Sequence, residues 1–424
     1  APLMSRIDSA LGVLRHREFR NFWMASLASN SGTWLHIVLS TILVFEYTQS
    51  ASALGFFGFV AYLPLLLFTL PAGVLSDRWD RRRIVVVTHL GAALSVAVLA
   101  VAVQAGLRSV EAIAICAFIV YTTYAIAKPA LSSIFPTLVP AAEIPQATAV
   151  NSLSFVLGQL IGPLTAALLV ALGMPALGFA LNALSYLAVA IVVGRLPSHQ
   201  DPGQRAAARS FVAELGEALR YVTANRHVRA MMVAVLIGSP LPEAVRLLAP
   251  AAVAGTGAAP GMAGVLAASV GFGGAMGLIV VARLYGVLGV RRAITGALAI
   301  LGIGAIIIAW SPSTLVLLAG GIALGVGYGV TFATATGSIQ ATVPDALRGR
   351  VMSIHTLLHL GTRPLFTPVA GWLGGVAGVA AALVGFVVLI PVAIVEVQRD
   401  ASEPGLPPAP SDAESAASAP SGPA

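Results

Sequence analysis

Apolar stretches of roughly 20 residues, each long enough to cross the hydrocarbon core of a bilayer as a helix, recur from one end of the chain to the other. Short polar or Gly/Pro connectors separate them. Twelve can be delimited, over 20–46, 53–75, 84–104, 110–131, 147–171, 175–194, 228–252, 261–285, 291–310, 313–338, 351–373 and 376–395. Such a chain is an all-α membrane protein. Composition points the same way: 10% of the 424 residues are charged, against about 25% in a soluble protein, too few to cover a soluble surface of this size. A soluble enzyme is excluded. The single cysteine, Cys116, rules out an intrachain disulfide and a thiolate metal cluster.

The longest polar interval, 195–227, divides the spans into two sets of six. Its second part, FVAELGEALRYV, has apolar residues at helical spacing and predicts a short surface helix. The expected organisation is an N-terminal segment over 1–19, a six-helix bundle over 20–194, a linker over 195–227 and a second six-helix bundle over 228–395. The end, 396–424, is rich in Pro, Ser, Ala and acids and reads as a disordered tail. The start is basic but has no apolar core ahead of a small-residue cleavage site, so no cleaved signal is expected. Of the 24 basic side chains, nineteen fall on one face of this topology and one, Arg108, on the other. Four lie within spans: Lys128, Arg246, Arg283 and Arg363. Basic residues stay in the cytoplasm, so both termini are placed there. Orientation thus accounts for the formal charge of +7, and no nucleic-acid partner is implied.

The two halves resemble each other. The segment 137–163 has a counterpart at 341–364: each has a Val-Pro, a connector, and a span with a proline about halfway across. The fifth span thereby pairs with the eleventh, Gly162-Pro163 lying over Arg363-Pro364. A parallel repeat of two six-span halves points to a transporter with its site between the halves. Duplication with no such consequence is the bland alternative.

The connector after the second span runs from Gly73 through Asp77 to Arg81, Arg82 and Arg83. It resembles the loop signature of the major facilitator superfamily, G-x-L-a-D-r-x-x-r-r-r. The glycine permits close helix approach, and the aspartate can accept charge-assisted hydrogen bonds. The resemblance implies a latch at the cytoplasmic ends of the halves, made by Gly73, Asp77 and Arg81; Arg82 and Arg83 read as orientation anchors. The matching loop of the second half, Arg283 to Arg292, has Val287 where the aspartate would be. In the fifth span, Gly158-Gln159-Leu160-Ile161-Gly162-Pro163 is similar to the G-x-x-x-G-P element of antiporter branches, which adds Gly158, Gly162 and Pro163 to the conformational machinery. Thr165 and Ala166 then depart from that pattern. Over about 15–395 the chain looks like the enterobactin-exporter branch, a group of bacterial efflux proteins for siderophores and drugs. The resemblance implies the major facilitator fold, two pseudo-symmetric six-helix bundles.

Ionisable groups within spans are expensive and usually functional. Glu243 is the only carboxylate well inside any span, and Arg246 stands one turn away, close enough for an ion pair. Either Glu243 carries a proton, its affinity altered by alternating contact with water and Arg246, or the two form a static pair. His36 is the second candidate for the proton, since imidazole titrates near neutrality, unless neighbouring hydroxyls satisfy it. In the first span, Ser26, Ser29, Thr33, His36 and Ser40 form one polar stripe flanked by Asn30. The resemblance implies that spans 1, 4, 7 and 10 line a central cavity, which gives Asn30, Thr33, Trp34, Tyr121, Tyr124, Tyr328 and Thr331 as lining residues. Lys128 reads as snorkelling to the interface. His355, His359 and Arg363 fall at i, i+4 and i+8. No carboxylate or thiolate accompanies them, so no metal site is expected; Arg363 is assigned to the cavity as contact for a gate or an anion.

The expected function is secondary active export of a small amphipathic molecule (siderophore, drug or secondary metabolite) in exchange for protons, by alternating access across a bacterial cytoplasmic membrane. The protein would act as a monomer and without a cofactor. An importer or facilitator is the rival within the class. A membrane enzyme or non-transporting sensor is the rival outside it, but the chain offers no clustered catalytic set.

Overall fold

The computed structural model describes residues 12–197 and 211–400, and among them every regular element is a helix. The first bundle contains α1 (Arg17–Thr48), α2 (Ala51–Arg78), α3 (Arg81–Gln104), α4 (Val110–Ile134), α5 (Ile144–Ala171) and α6 (Pro175–Gly194). After the linker helix α7 (Phe211–Ala224) come α8 (Arg226–Gly238), α9 (Pro240–Ala254), α10 (Met262–Ala309), α11 (Thr314–Thr342), α12 (Asp345–Thr356), α13 (Arg363–Val387) and α14 (Ile390–Gln398). The expected segment 1–19 and tail 396–424 lie largely outside the described residues, as does the middle of the linker.

Twelve crossings arise from these helices through local chemistry. Ser50, Asp80, Ser109 and Asn225 cap α2, α3, α4 and α8, each side chain accepting a hydrogen bond from a first-turn N–H. The helix α10 folds back at Gly289, φ 71°, and so makes the eighth and ninth crossings. In α13 the reversal is at Gly378, φ 86°, between the eleventh and twelfth. Both are left-handed conformations that glycine adopts without steric cost. The seventh crossing is α8 followed by α9, broken at Ser239 because Pro240 has no N–H to continue the ladder. The eleventh widens into a π turn at Leu357–Gly361, just ahead of Pro364, whose ring cannot be accommodated in a regular turn.

The outer surface is apolar. On α3, Val87, Leu90, Leu94, Val98 and Val101 share one helix face and are all exposed, the arrangement a helix needs against lipid tails. Arg81 to Arg83, Arg195, Arg291 and Arg292 lie at one end of the molecule, called here the basic end. The other end carries Ser50, Arg108 and Gly173.

The two bundles meet through α2 against α13 and α5 against α10, with α1 against α9 between them. These contacts are backbone-close. A Cβ on Gly55 would lie 2.7 Å from Gly371 Cα, and one on Gly264 would lie 2.5 Å from the Pro163 carbonyl oxygen. Both pairs sit in the half of the spans away from the basic end. The closest approaches of the two bundles thus lie at mid-depth and towards the end away from the basic one.

At the basic end of the second bundle, the His227 ring lies between Asp400 (Nδ1 to Oδ2, 2.5 Å) and Ser338 (Nε2 to Oγ, 2.6 Å), and all three are buried. This ties the end of α14 to α8 and α11. Arg229 and Glu396 form a second tie nearby, 2.9 Å apart, with the arginine 40% exposed. His227→Ala takes a shared partner from two buried polar groups and is expected to cost about 2 kcal/mol. Arg229→Ala is expected to cost less than about 1 kcal/mol, because that pair is solvated. Unfolding midpoints of the two variants in detergent give the comparison. The linker helix α7 packs on this same bundle: Arg350 donates to Glu217 at 2.9 Å, and the Tyr221 hydroxyl donates to the Thr342 carbonyl.

Candidate functional site

Where the bundles touch at mid-depth, they bury one carboxylate and two guanidinium groups. Glu243 stands in the first turn of α9, a position the helix dipole favours for an anion. Its Oε1 accepts from Arg246 Nη1 at 2.8 Å and lies 3.1 Å from Arg363 Nη2. Its Oε2 accepts from the Tyr62 hydroxyl at 3.3 Å. Arg246 donates its other amino group to Gln159 Oε1 at 3.0 Å and lies 4.9 Å over the Trp34 ring. Arg363 lies 5.5 Å over the Tyr62 ring. Glu243, Arg246 and Arg363 are each more than nine-tenths buried. Half of the six residues come from each bundle: Trp34, Tyr62 and Gln159 from the first, and Glu243, Arg246 and Arg363 from the second.

Two features make this more than a salt bridge. One carboxylate faces two fixed cations, so the cluster carries a surplus positive charge in a low-dielectric setting. Its bonds also cross from one bundle to the other, so parting the bundles here takes Tyr62 from Glu243 and Gln159 and Trp34 from Arg246. Beside it is a cavity of about 10 Å³, lined by Ser239, Glu243, His359, Arg363 and Thr367, room for about one water. His359 reaches Ser239 Oγ at 3.1 Å and the Tyr328 hydroxyl at 3.3 Å, while His355 Nε2 lies 3.3 Å from Thr336 Oγ1. Among the described residues no group of three His, Cys, Asp or Glu is placed to hold a metal.

Several expected lining residues do lie around this cluster. Tyr121 packs edge-on to Tyr62, ring centres 4.8 Å apart, and Tyr124 packs against Tyr121. Asn30 donates to Ser154 Oγ at 3.1 Å. Tyr328 stands on the opposite wall with Phe332 and His359. The polar stripe of α1 needs correcting, however. Thr33 bonds the Ser29 carbonyl and the Tyr186 hydroxyl of α6, and His36 is fully buried against Phe179 of α6, its ring nitrogens without a hydrogen-bond partner. The stripe faces the interior of its own bundle, and neither the cavity nor hydroxyl neighbours receive His36. Thr331 is corrected likewise: it is buried against Gly238 of α8.

Of the proposed latch residues, the surroundings of Gly73 and of the Asp77 side chain lie outside what is described, and Arg81 is exposed at the basic end. Asp80 caps α3 through Arg82 N, and the Arg82 guanidinium donates to the Gly194 carbonyl. Gly158 and Gly162 let α1 lie directly on α5: Cβ atoms there would come within 2.9 Å of Asn30 Cβ and 2.6 Å of Trp34 Cβ. Pro163 presents its carbonyl to Gly264 across the interface. Sequence reasoning missed Tyr62 and Gln159. Gln159 was visible as the one side-chain amide inside the G-x-x-x-G-P element; Tyr62 carried no signal beyond a hydroxyl two residues before Pro64.

Comparison with known proteins gives a consistent result. A family described as transmembrane secretion effector matches residues 8–415. The multidrug efflux pump Tap of Mycolicibacterium fortuitum is 28% identical over 84% of this chain and 89% of its own length. The staphyloferrin A transporter of Staphylococcus aureus (strain NCTC 8325 / PS 47) is 26% identical over 42% of this chain and 45% of its own. Among solved structures, a bacterial homologue of the iron transporter ferroportin in an inward-facing state covers 90% of this chain and 98% of its own, with TM-score 0.69 and 14% identity. A D-xylose–proton symporter has the same coverage and TM-score at 16% identity. At these identities the two structures share the fold with this chain, and that fold is the twelve-helix transporter fold.

Proposed function

We propose that this chain, which belongs to the transmembrane secretion effector family of major facilitator transporters, exports a small amphipathic molecule in exchange for protons across the bacterial cytoplasmic membrane. The observation that carries the reading is Glu243: the only buried carboxylate between the bundles among the described residues, held by groups from both. A coupling group must change partners when the access state changes, and Glu243 is so placed. Similarity to a multidrug efflux pump supports export as the direction.

In this reading the basic end faces the cytoplasm, by the bias of basic residues, and both termini lie there. The close packing of α2 on α13 and of α5 on α10 is then the seal on the outer side. The bodies that rock are 20–194 and 228–395, tied by the linker 195–227 and working as a monomer. Cargo enters among Asn30, Trp34, Tyr121, Tyr124 and Tyr328. As the bundles part outside, Tyr62, Gln159 and Trp34 withdraw; Glu243 takes a proton from the outer water and so weakens its hold on Arg246 and Arg363. Closing again, the arginines draw the carboxylate back and the proton leaves to the cytoplasm. Gly73, Asp77 and Arg81 latch the cytoplasmic ends in the outward-open state, while Gly158, Gly162 and Pro163 keep α5 close enough to α1 and α10 to transmit the motion. His36, enclosed in its own bundle, is the weaker candidate for the proton.

Reconstituted vesicles test this directly. An inward-directed proton gradient is expected to drive a fluorescent amphipathic reporter out against its own gradient, with proton uptake that stops when the reporter is omitted. Reporter movement indifferent to an imposed pH gradient of either sign would remove the proton from the mechanism.

A further inference from the structure

Four residues on the first bundle form a continuous contact path from the basic end to the central cluster. Lys128 of α4 is exposed, its ammonium 5.8 Å from the Tyr124 ring, one turn earlier on the same helix, and 6.0 Å from the Phe155 ring of α5. Phe155 meets Trp34 of α1 edge-on, ring centres 6.2 Å apart. Trp34 in turn lies beneath Arg246 of the other bundle. Phe155 is one turn from Gln159 on α5, the residue that bonds Arg246, so it faces the gap between the bundles, and Lys128 borders that gap.

The charges on this path are one-sided. Among the described residues no carboxylate pairs with Lys128, and at the far end Glu243 is outnumbered by Arg246 and Arg363. A lysine that only snorkelled to the membrane surface would have no reason to stand over two rings that border the gap. An ammonium beside aromatic faces, with no acid to neutralise it, is a receptor for a negative group attached to a flat apolar body. A cation entering the same gap would meet repulsion at both ends.

We infer that Lys128, Tyr124, Phe155 and Trp34 form an entry subsite that selects aromatic anions, the anionic group meeting Lys128 and the ring system resting on Tyr124, Phe155 and Trp34. The cargo class is thus an aromatic molecule carrying a carboxylate or similar acid. The inference rests on reading the gap as the cargo path, but it requires no proton coupling.

Equilibrium dialysis of the purified full chain in detergent, corrected for empty micelles, tests it with three probes of one shape: 2-naphthoate, 2-naphthamide and 2-naphthylmethylammonium. Naphthoate is expected to bind at least about tenfold more tightly than the amide, with the ammonium weakest, and added salt should erode the preference. Lys128→Gln is expected to weaken naphthoate about tenfold and leave the amide unchanged, and Lys128→Arg to restore the preference. Lys128 is exposed, so these variants should fold; monodisperse elution confirms that before dialysis. Naphthoate binding no tighter than the amide, or unaltered in Lys128→Gln, overturns the subsite. Because dialysis involves no gradient, failure of proton-driven efflux with the anion preference intact would count against the exporter reading and leave the subsite standing.

Discussion

Glu243→Gln is expected to abolish proton-driven efflux while leaving exchange of internal for external cargo measurable. Glutamine keeps the shape and one acceptor oxygen, so Arg246 and Tyr62 can still find it. It cannot take up or release a proton, so the cycle of charge on which coupling depends is gone. It also leaves Arg246 and Arg363 buried with no carboxylate between them, and breaking a buried pair in this way costs about 3–5 kcal/mol. A bare loss of transport would therefore be ambiguous. Two controls resolve it. Glu243→Asp keeps the charge and should retain part of the coupled flux. Glu243→Gln combined with Arg363→Gln removes one of the stranded cations, and should recover thermal stability without recovering coupled transport. Efflux in Glu243→Gln that still responds to the pH gradient would take Glu243 out of the mechanism.

The fold was legible because its determinant is local: each span is a run of consecutive apolar residues, and each connector is marked by Gly, Pro or charge. Of the two reversals, Gly289 falls between runs, and Gly378 falls two residues past the start of the last run. The central site was legible only in part. The pairing of Glu243 with Arg246 follows from a separation of three residues on one helix. Arg363 stood out because it replaces a glycine of the repeat, but its contact with Glu243 depends on how α13 lies against α9, and no spacing encodes that. The polar stripe of α1 shows where such reasoning stops. Positions three and four apart share a face, which held for Ser29 and Thr33; whether the face meets α6 or the opposite bundle is decided by all of the helix's neighbours. Trp34 and Asn30, beside the stripe and less conspicuous, are the ones that reach the interface and α5. Tyr62 and Gln159 each supply a single polar contact to a partner in the other bundle, a relation that exists only once the bundles have met.

Gly371→Leu is expected to eliminate efflux by preventing the outer face from closing. A Cβ at this position would lie 2.6 Å from the Gly55 nitrogen and 2.8 Å from the Ala51 carbonyl oxygen, whereas non-bonded heavy atoms settle at about 3.5–4.0 Å. Alanine alone would drive the α2 and α13 backbones apart by about an ångström. Leucine would need several, and a close-packed contact does not absorb that by local adjustment. Within its own bundle α13 has no such constraint, so the protein should fold and assemble while held open to the outside. The lone buried Cys116 makes the state readable. In a Cys116→Ser background, Ser52→Cys places a thiol at the α2–α13 seam, where Ser52 Oγ now lies 3.4 Å from the Gly371 carbonyl oxygen. A membrane-impermeant maleimide added outside should label it slowly in the parent and at least about tenfold faster with Gly371→Leu. Gly371→Ala should fall between them in both labelling and flux, because the obstruction is graded by size. Normal efflux in Gly371→Leu would mean that the close approach of α2 to α13 is not the seal on which alternating access depends.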